Sequence, residues 1–137
     1  MTALRWIDTS HPEKWICVLP PRLTLEDFVA EFGEAMDSLR QLPPDRRLVV
    51  FTDLTKVTGS DPRRRQHAAQ FIKDNKALLR QHVVAWGFVA AGVMRGALTA
   101  ISWLNAFPVP MGVFSTRWEC ESWLEARMME DLRTRGA

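Results

Sequence analysis

The sequence predicts an α/β fold: a mostly parallel sheet of four to five strands with an antiparallel hairpin at its N-terminal edge. Short β-branched and aromatic runs alternate along the chain with longer segments whose apolar residues recur at helical spacing. Two such runs near the N-terminus are separated only by a turn-rich segment, which favours a hairpin. The predicted order is β-β-α-β-α-β-α-β-α, and this alternation is typical of parallel strands joined by right-handed crossovers.

The first half of the chain predicts the hairpin, one helix and a buried strand. Ala3–Asp8 and Trp15–Leu19 are short apolar runs, and they form the predicted hairpin. Thr24 suits an N-cap, and apolar residues then recur every three or four positions until a pair of prolines ends the helix. Leu48–Thr52 is short, β-branched and aromatic, which is typical of a buried strand.

The second half of the chain alternates helices with strands. Asp61 and Pro62 suit the N-cap and first residue of one helix, and Thr116 with Glu119 forms a capping box for another. We expect the basic tail after Leu132 to fray. The predicted elements are a helix from about Pro62 to Gln81, a strand from Val83 to Val89 or Ala90, a helix from about Val93 to Asn105, a strand at Met111–Phe114 and a final helix after Thr116.

Length, charge and cysteine content exclude several classes of protein. A chain of 137 residues suits one domain, so we expect residues 1–137 to form a single unit. The net charge of +2 is too small to argue for binding of nucleic acid or of an anionic membrane. Because the N-terminus does not resemble a signal peptide, we expect a cytoplasmic protein with Cys17 and Cys120 as reduced core thiols.

Residues 83–107 carry a single formal charge, Arg95, over a length that could span a bilayer. A charge near the middle of a span costs about 2.5–3.5 kcal/mol on insertion, and the segment divides well into a strand and an amphipathic helix. We therefore favour a soluble interpretation over a membrane span.

Polar and basic residues gather where the central predicted strand ends. In open α/β sheets this edge usually binds ligands and partners, and helix N-termini there favour anions. Arginine in the first helical turn opposes the macrodipole at a cost of roughly a few tenths of a kcal/mol, so the arginines form either a solvated face or a partner surface. The candidate partner-binding residues are Asp53, Ser60, Asp61, Arg63, Arg64 and Gln66.

Arg95 supports two interpretations. It forms a structural salt bridge, for example to Asp53, or it lies at the mouth of an apolar pocket with Trp86 and Trp103 nearby in sequence. In the second interpretation the guanidinium holds the acidic group of a lipid-like or other anionic small molecule by paired hydrogen bonds. The small residues around Arg95 permit either close approach of such a ligand or tight packing of the helix on the sheet.

The sequence offers no support for catalysis. His11, His67 and His82 are scattered, and none belongs to a recognisable nucleophile arrangement. There is also no metal-ligand cluster and no phosphate-binding glycine loop. We therefore expect a protein that is not an enzyme and that needs no metal or cofactor.

Apolar residues outside the predicted helix stripes point to self-association. Phe107, Val109 and Met111 flank two prolines, and Trp118 lies off the apolar stripe of the last helix. Exposed apolar surface of this kind often marks an interface, so we expect a homodimer.

The element order and one motif resemble the anti-sigma-factor antagonist (STAS) superfamily. Residues 49–58, Val-Val-Phe-Thr-Asp-Leu-Thr-Lys-Val-Thr, are similar to that family's hydrophobic strand followed by Asp-Leu-Ser-x-Val. The resemblance implies a stand-alone bacterial regulatory domain, without catalytic activity, that binds another protein through the helix after this strand. Asp61-Pro62 falls where the family has Asp-Ser, the serine being its phosphorylation site. The resemblance therefore implies a domain without the family's serine phosphoswitch, since Ser60 is a neighbour of that position and not its equivalent.

Overall fold

The computed structural model describes residues 6–57, 62–92, 96 and 107–136, and the strands within them form one five-stranded sheet. The elements are β1 (Ile7–Asp8), β2 (Lys14–Val18), α1 (Leu25–Arg40), β3 (Leu48–Asp53), α2 (Pro62–Asp74), α3 (Lys76–His82), β4 (Val83–Val89), β5 (Met111–Phe114) and α4 (Arg117–Gly136). The strands lie in chain order, β1 antiparallel to β2 and each later strand parallel to its predecessor. The predicted α/β fold class, with its antiparallel N-terminal edge, is confirmed.

The two central strands are covered on both faces, which explains their continuous apolar sequence. On one face α1 and α3 pack against alternate residues of the sheet, among them Val50 and Trp86. On the other face α4 packs against Phe51 and Val89. Every residue of β4 is buried, as are the first five of the six residues of β3.

A shift in strand pairing sets which side chains of β4 meet which helix. Leu48 pairs with Val83, but Val49 pairs with Ala85, so Val84 is an extra residue in β4. This irregularity has the form of a β-bulge, and it turns Val84 and Ala85 to the same side of the sheet. From Trp86 onward the alternation is regular, and Trp86 and Phe88 face α1.

Polar contacts fix the start and the middle of α1. Thr24 caps the helix as predicted, because its hydroxyl accepts a hydrogen bond from the Asp27 N–H at 3.1 Å. One turn further, the buried Glu31 carboxylate accepts hydrogen bonds from the backbone N–H groups of Trp6 and Ile7. These bonds join the helix to the short edge strand β1.

The predicted helix at Pro62–Gln81 is two helices, because the chain leaves helical geometry at Asn75. The Asn75 side chain donates to the Phe71 carbonyl at 2.7 Å and accepts a hydrogen bond from the Arg40 guanidinium at 2.7 Å. Asparagine side chains compete with the backbone for hydrogen bonds, and here the residue is buried with both ends of its amide paired. The expectation of one unbroken helix was therefore wrong.

The C-terminal tail remains helical to Gly136, so the expected fraying after Leu132 was also wrong. Arg135 donates to the Asp45 carbonyl at 2.9 Å, which ties the last turn of α4 to the loop before β3. Arg47 donates to Asp131 at 2.9 Å and also to the final carbonyls of α3. Burial of Asp131 opposes its ionisation, but the arginines outweigh this effect and lower its pKa.

The predicted capping box of the last helix is present, with the Glu119 N–H donating to Thr116 Oγ1 at 3.2 Å. The predicted strand at Met111–Phe114 is confirmed as well. The helix predicted at Val93–Asn105 lies, apart from Gly96, outside the described residues.

We predict that Gly87→Ala disturbs the packing of α4 on the sheet. A Cβ atom at position 87 would lie 2.5 Å from the Cys120 sulfur and 3.3 Å from Leu124 Cγ. Overpacking of this kind costs about 1–3 kcal/mol, and we expect urea denaturation to show a loss of that size in the free energy of unfolding.

Gly96→Ala is the matched control, because a Cβ atom there meets no atom of the described residues within 4 Å. The double variant Gly87→Ala/Cys120→Ala should lose less stability than the sum of its two single variants, since removing the sulfur relieves the clash. Simple additivity of the two single effects would contradict this account of Gly87.

Candidate functional site

The loop after β3 is ordered by Asp53. One carboxylate oxygen of Asp53 accepts hydrogen bonds from the Thr55 N–H at 2.8 Å and from the Thr55 hydroxyl at 2.6 Å. This is the local turn that aspartate commonly forms with the backbone two residues on. The Leu54 N–H donates to the Val89 carbonyl at 2.9 Å, which joins the start of the loop to β4. Asp53 therefore shapes the candidate site, with its side chain engaged in the loop.

α2 contacts the rest of the described structure through a narrow strip of apolar side chains. None of its described residues is fully buried, although Ala68, Phe71 and Ile72 pack against the core. The Phe71 ring stacks on Phe32 of α1 with 5.0 Å between ring centroids and 20° between planes. This contact holds the C-terminal half of the helix, and exposed side chains occur in its first two turns.

Those first two turns carry the basic residues that the sequence placed there. Arg63 and Gln66 are exposed, and Arg64 is half-buried. The first turn contains no acidic residue, so positive charge is added to the positive end of the helix dipole. The result is a concentration of positive charge at the start of α2.

One buried polar atom also lies at this end of α2. Arg64 Nη1 is buried and makes no hydrogen bond among the described residues. At the other end of the helix, the Gln70 side chain donates to Asp74 at 2.7 Å, and Lys73 is exposed. Basic charge on α2 is therefore concentrated in its first half.

The predicted site residues divide into two groups. Four of the partner-binding candidates are described, and they lie at the end of β3 and at the start of α2 as predicted: Asp53, Arg63, Arg64 and Gln66. Of the other candidates, Trp86 is described, and four lie outside the described residues: Ser60, Asp61, Arg95 and Trp103.

Trp86 is a core residue of the described structure. Its ring N–H donates to the Thr52 hydroxyl at 2.8 Å, and only 7% of the residue is exposed. The ring lies parallel to Phe88 and meets Phe107 edge-on. Trp86 also lines an apolar cavity of about 20 Å³ between α1 and the sheet. A cavity of that size is large enough for one water molecule and far too small for an acyl chain.

The cysteines and histidines give no sign of a catalytic arrangement among the described residues. Cys17 and Cys120 are unpaired and buried, and burial raises the pKa of each thiol to about 12. Both are protonated at neutral pH, and the prediction of reduced core thiols is confirmed. His82 is buried with its ring 2.8 Å from the Arg46 carbonyl, whereas His67 is exposed.

The described residues contain no group of three or more side chains that could hold a metal ion. None of their helices combines the length and the apolar character that crossing a bilayer requires.

The apolar residues that suggested self-association differ in how far they are buried. Val109 is buried, and Phe107 packs edge-on against Trp86, so both belong to the core. Trp118 is 77% exposed. Sequence reasoning missed Met129 and Leu132, which are 66% and 56% exposed on the same helix. In the sequence, Met129 and Leu132 lie off the apolar stripe of α4, as Trp118 does, and this pattern could have identified them.

Comparison with known proteins identifies the fold. No family model matches the chain, and no curated protein matches it in sequence. A similar solved structure is that of an uncharacterised DUF3478-family protein from Shewanella loihica PV-4 with a SpoIIAA-like fold. The TM-score is 0.64 at 15% sequence identity, over 86% of this chain and 90% of that one. The SpoIIAA-like fold is the anti-sigma-factor antagonist (STAS-like) fold, so the resemblance seen in the sequence is confirmed for the fold.

Proposed function

We propose that this protein is a non-catalytic regulatory domain that acts by binding another protein. The observation that carries the proposal is the basic start of α2, where Arg63 and Gln66 are exposed, a few residues along the chain from the loop that Asp53 orders. The fold adds support, because the sequence resemblance to the anti-sigma-factor antagonists implies partner binding through this helix.

The charge of the surface indicates the chemistry of the partner. Three consecutive arginines follow Pro62 at the start of α2, and the first turn contains no acidic residue. Guanidinium groups bind carboxylates in paired hydrogen bonds, and complementary charge speeds association. We therefore propose that the partner presents an acidic surface to Arg63, Arg64 and Gln66, with Asp53, Ser60 and Asp61 at the border of the contact.

We predict that reversing charge at the start of α2 abolishes partner capture. The wild-type domain, immobilised and exposed to extract of its native cell, should retain a partner that Arg63→Glu/Arg64→Glu does not. Loss of steering charge and of paired hydrogen bonds should weaken binding by at least tenfold.

Lys73→Glu is the matched control, since Lys73 is an exposed cation at the opposite end of the same helix. Circular dichroism should show that both variants are folded. If the double variant captures the same partner as the wild type, the α2 surface is not the binding site.

We infer that this domain is not controlled by the family's serine phosphoswitch. Pro62 begins α2 and has no hydroxyl group, so the usual site cannot be phosphorylated. We expect the loop hydroxyls, Ser60 among them, to cap the helix and to order the loop. Intact mass of protein isolated from its own host should show no phosphate. A stoichiometric phosphate on Ser60 that alters partner capture would overturn the inference.

The alternative function is binding of a lipid-like or other anionic small molecule in an apolar pocket near Arg95. Its support is the all-apolar cavity that Trp86 lines, with Trp103 as the further candidate. An acyl chain would have to move α1 away from the sheet, because the cavity measures about 20 Å³. Thermal melting with fatty acids and phospholipids tests this: a raised melting temperature supports the alternative, and an unchanged one removes it.

A further inference from the structure

The outward face of α4 is the most apolar exposed surface among the described residues. The large apolar side chains exposed there are Trp118, Met129 and Leu132, and all three lie on this one helix. Cys120 and Leu124 hold the opposite side of α4 against the sheet at 0% and 1% exposure. Since a helix turns about 100° per residue, Met129 points half a turn away from Cys120.

Two opposite charges flank Met129 symmetrically. Glu125 lies one turn before it and Arg133 one turn after it, and both are exposed. Neither forms an ion pair with another described residue, whereas the neighbouring Glu130 is paired with Arg127. This face of α4 therefore offers an apolar centre with a negative charge on one side and a positive charge on the other.

Two copies of this helix face complement each other when they pack in one particular arrangement. If a second α4 runs antiparallel and a two-fold axis passes beside Met129, each Met129 meets its own copy. Glu125 of either copy then lies level with Arg133 of the other, which makes two opposite-charge pairs. A two-fold interface repeats every contact, so one favourable pair in the sequence becomes two in the dimer.

Other registers of the same two helices bring like charges together. A parallel pair in register places Glu125 beside Glu125 and Arg133 beside Arg133. An antiparallel pair centred on Glu125 brings Trp118 to Leu132, but it opposes the two Glu125 carboxylates. Like-charge contacts disfavour these alternatives, so charge selects the register centred on Met129.

We propose that a second copy of this chain binds the outward face of α4 in the antiparallel register centred on Met129. This surface lies on the opposite face of the sheet from α2, so it is independent of the proposed partner site. The apolar contact consists mainly of Met129 and Leu132 from each copy. We therefore expect a dimer that dissociates on dilution.

Cysteine cross-linking tests the register directly. In Met129→Cys the two introduced thiols lie against each other across the axis, so mild oxidation should give a disulfide-linked dimer. The native cysteines do not compete, because both are buried and their thiols are protonated. Trp118→Cys is the control: position 118 is more exposed, but it lies about 16 Å along the helix from Met129. It should cross-link at least tenfold more slowly, and equal rates for the two variants would overturn the register.

Charge exchange tests the contact without disulfide chemistry. Light scattering across a dilution series should show about tenfold weaker dimers for Glu125→Arg and for Arg133→Glu. The double variant Glu125→Arg/Arg133→Glu restores both pairs and should recover the wild-type dimer. The proposal fails if the double variant is as weak as the single ones, or if the wild-type protein is monomeric at every concentration.

Discussion

Burial of the central strands on both faces is the constraint on which the rest of the structure depends. β4 has no exposed residue, and Phe51 in β3 is 0% exposed. Such a sheet is stable only when helices cover both sides, because each face carries apolar area worth about 25 cal/mol per Å² when it leaves water. α1 and α3 cover one face and α4 covers the other. The bulge at Val84 adjusts the alternation so that both faces match their helices.

A small number of buried or half-buried polar side chains then fix how the helices pack on that sheet. Glu31 binds the backbone of β1, Asn75 joins α1 to the α2–α3 break, and Arg47 joins α3 to α4. Buried polar groups are costly when unpaired, so each of these contacts favours one arrangement of the elements over its alternatives. In its first two turns α2 carries the arginines proposed to bind a partner, and Arg63 and Gln66 are exposed there.

The fold separates two candidate surfaces. α2 lies on the face covered by α1, and α4 lies on the opposite face, so partner binding and self-association need not exclude each other. The similarity to a SpoIIAA-like structure establishes the architecture, but one fold hosts many functions. The charges of these two helices, more than the fold, therefore decide what each surface can bind.

The sequence by itself determined the elements and their order, because strand runs, the Thr24 cap and the Thr116 capping box depend on neighbouring residues. It also predicted the parallel sheet, since alternation of strands and helices implies one, and the structure has Asp53 at the end of β3 and Arg63, Arg64 and Gln66 in α2. The tertiary structure decided where the helix after β3 breaks, because Asn75 accepts a hydrogen bond from Arg40, 35 residues away. It also decided that the tail is helical, because Arg135 binds a carbonyl 90 residues away. It also made Trp86 a core residue and left Met129 exposed. Periodicity reports local backbone preference, whereas these outcomes depend on contacts between distant residues that no local pattern records.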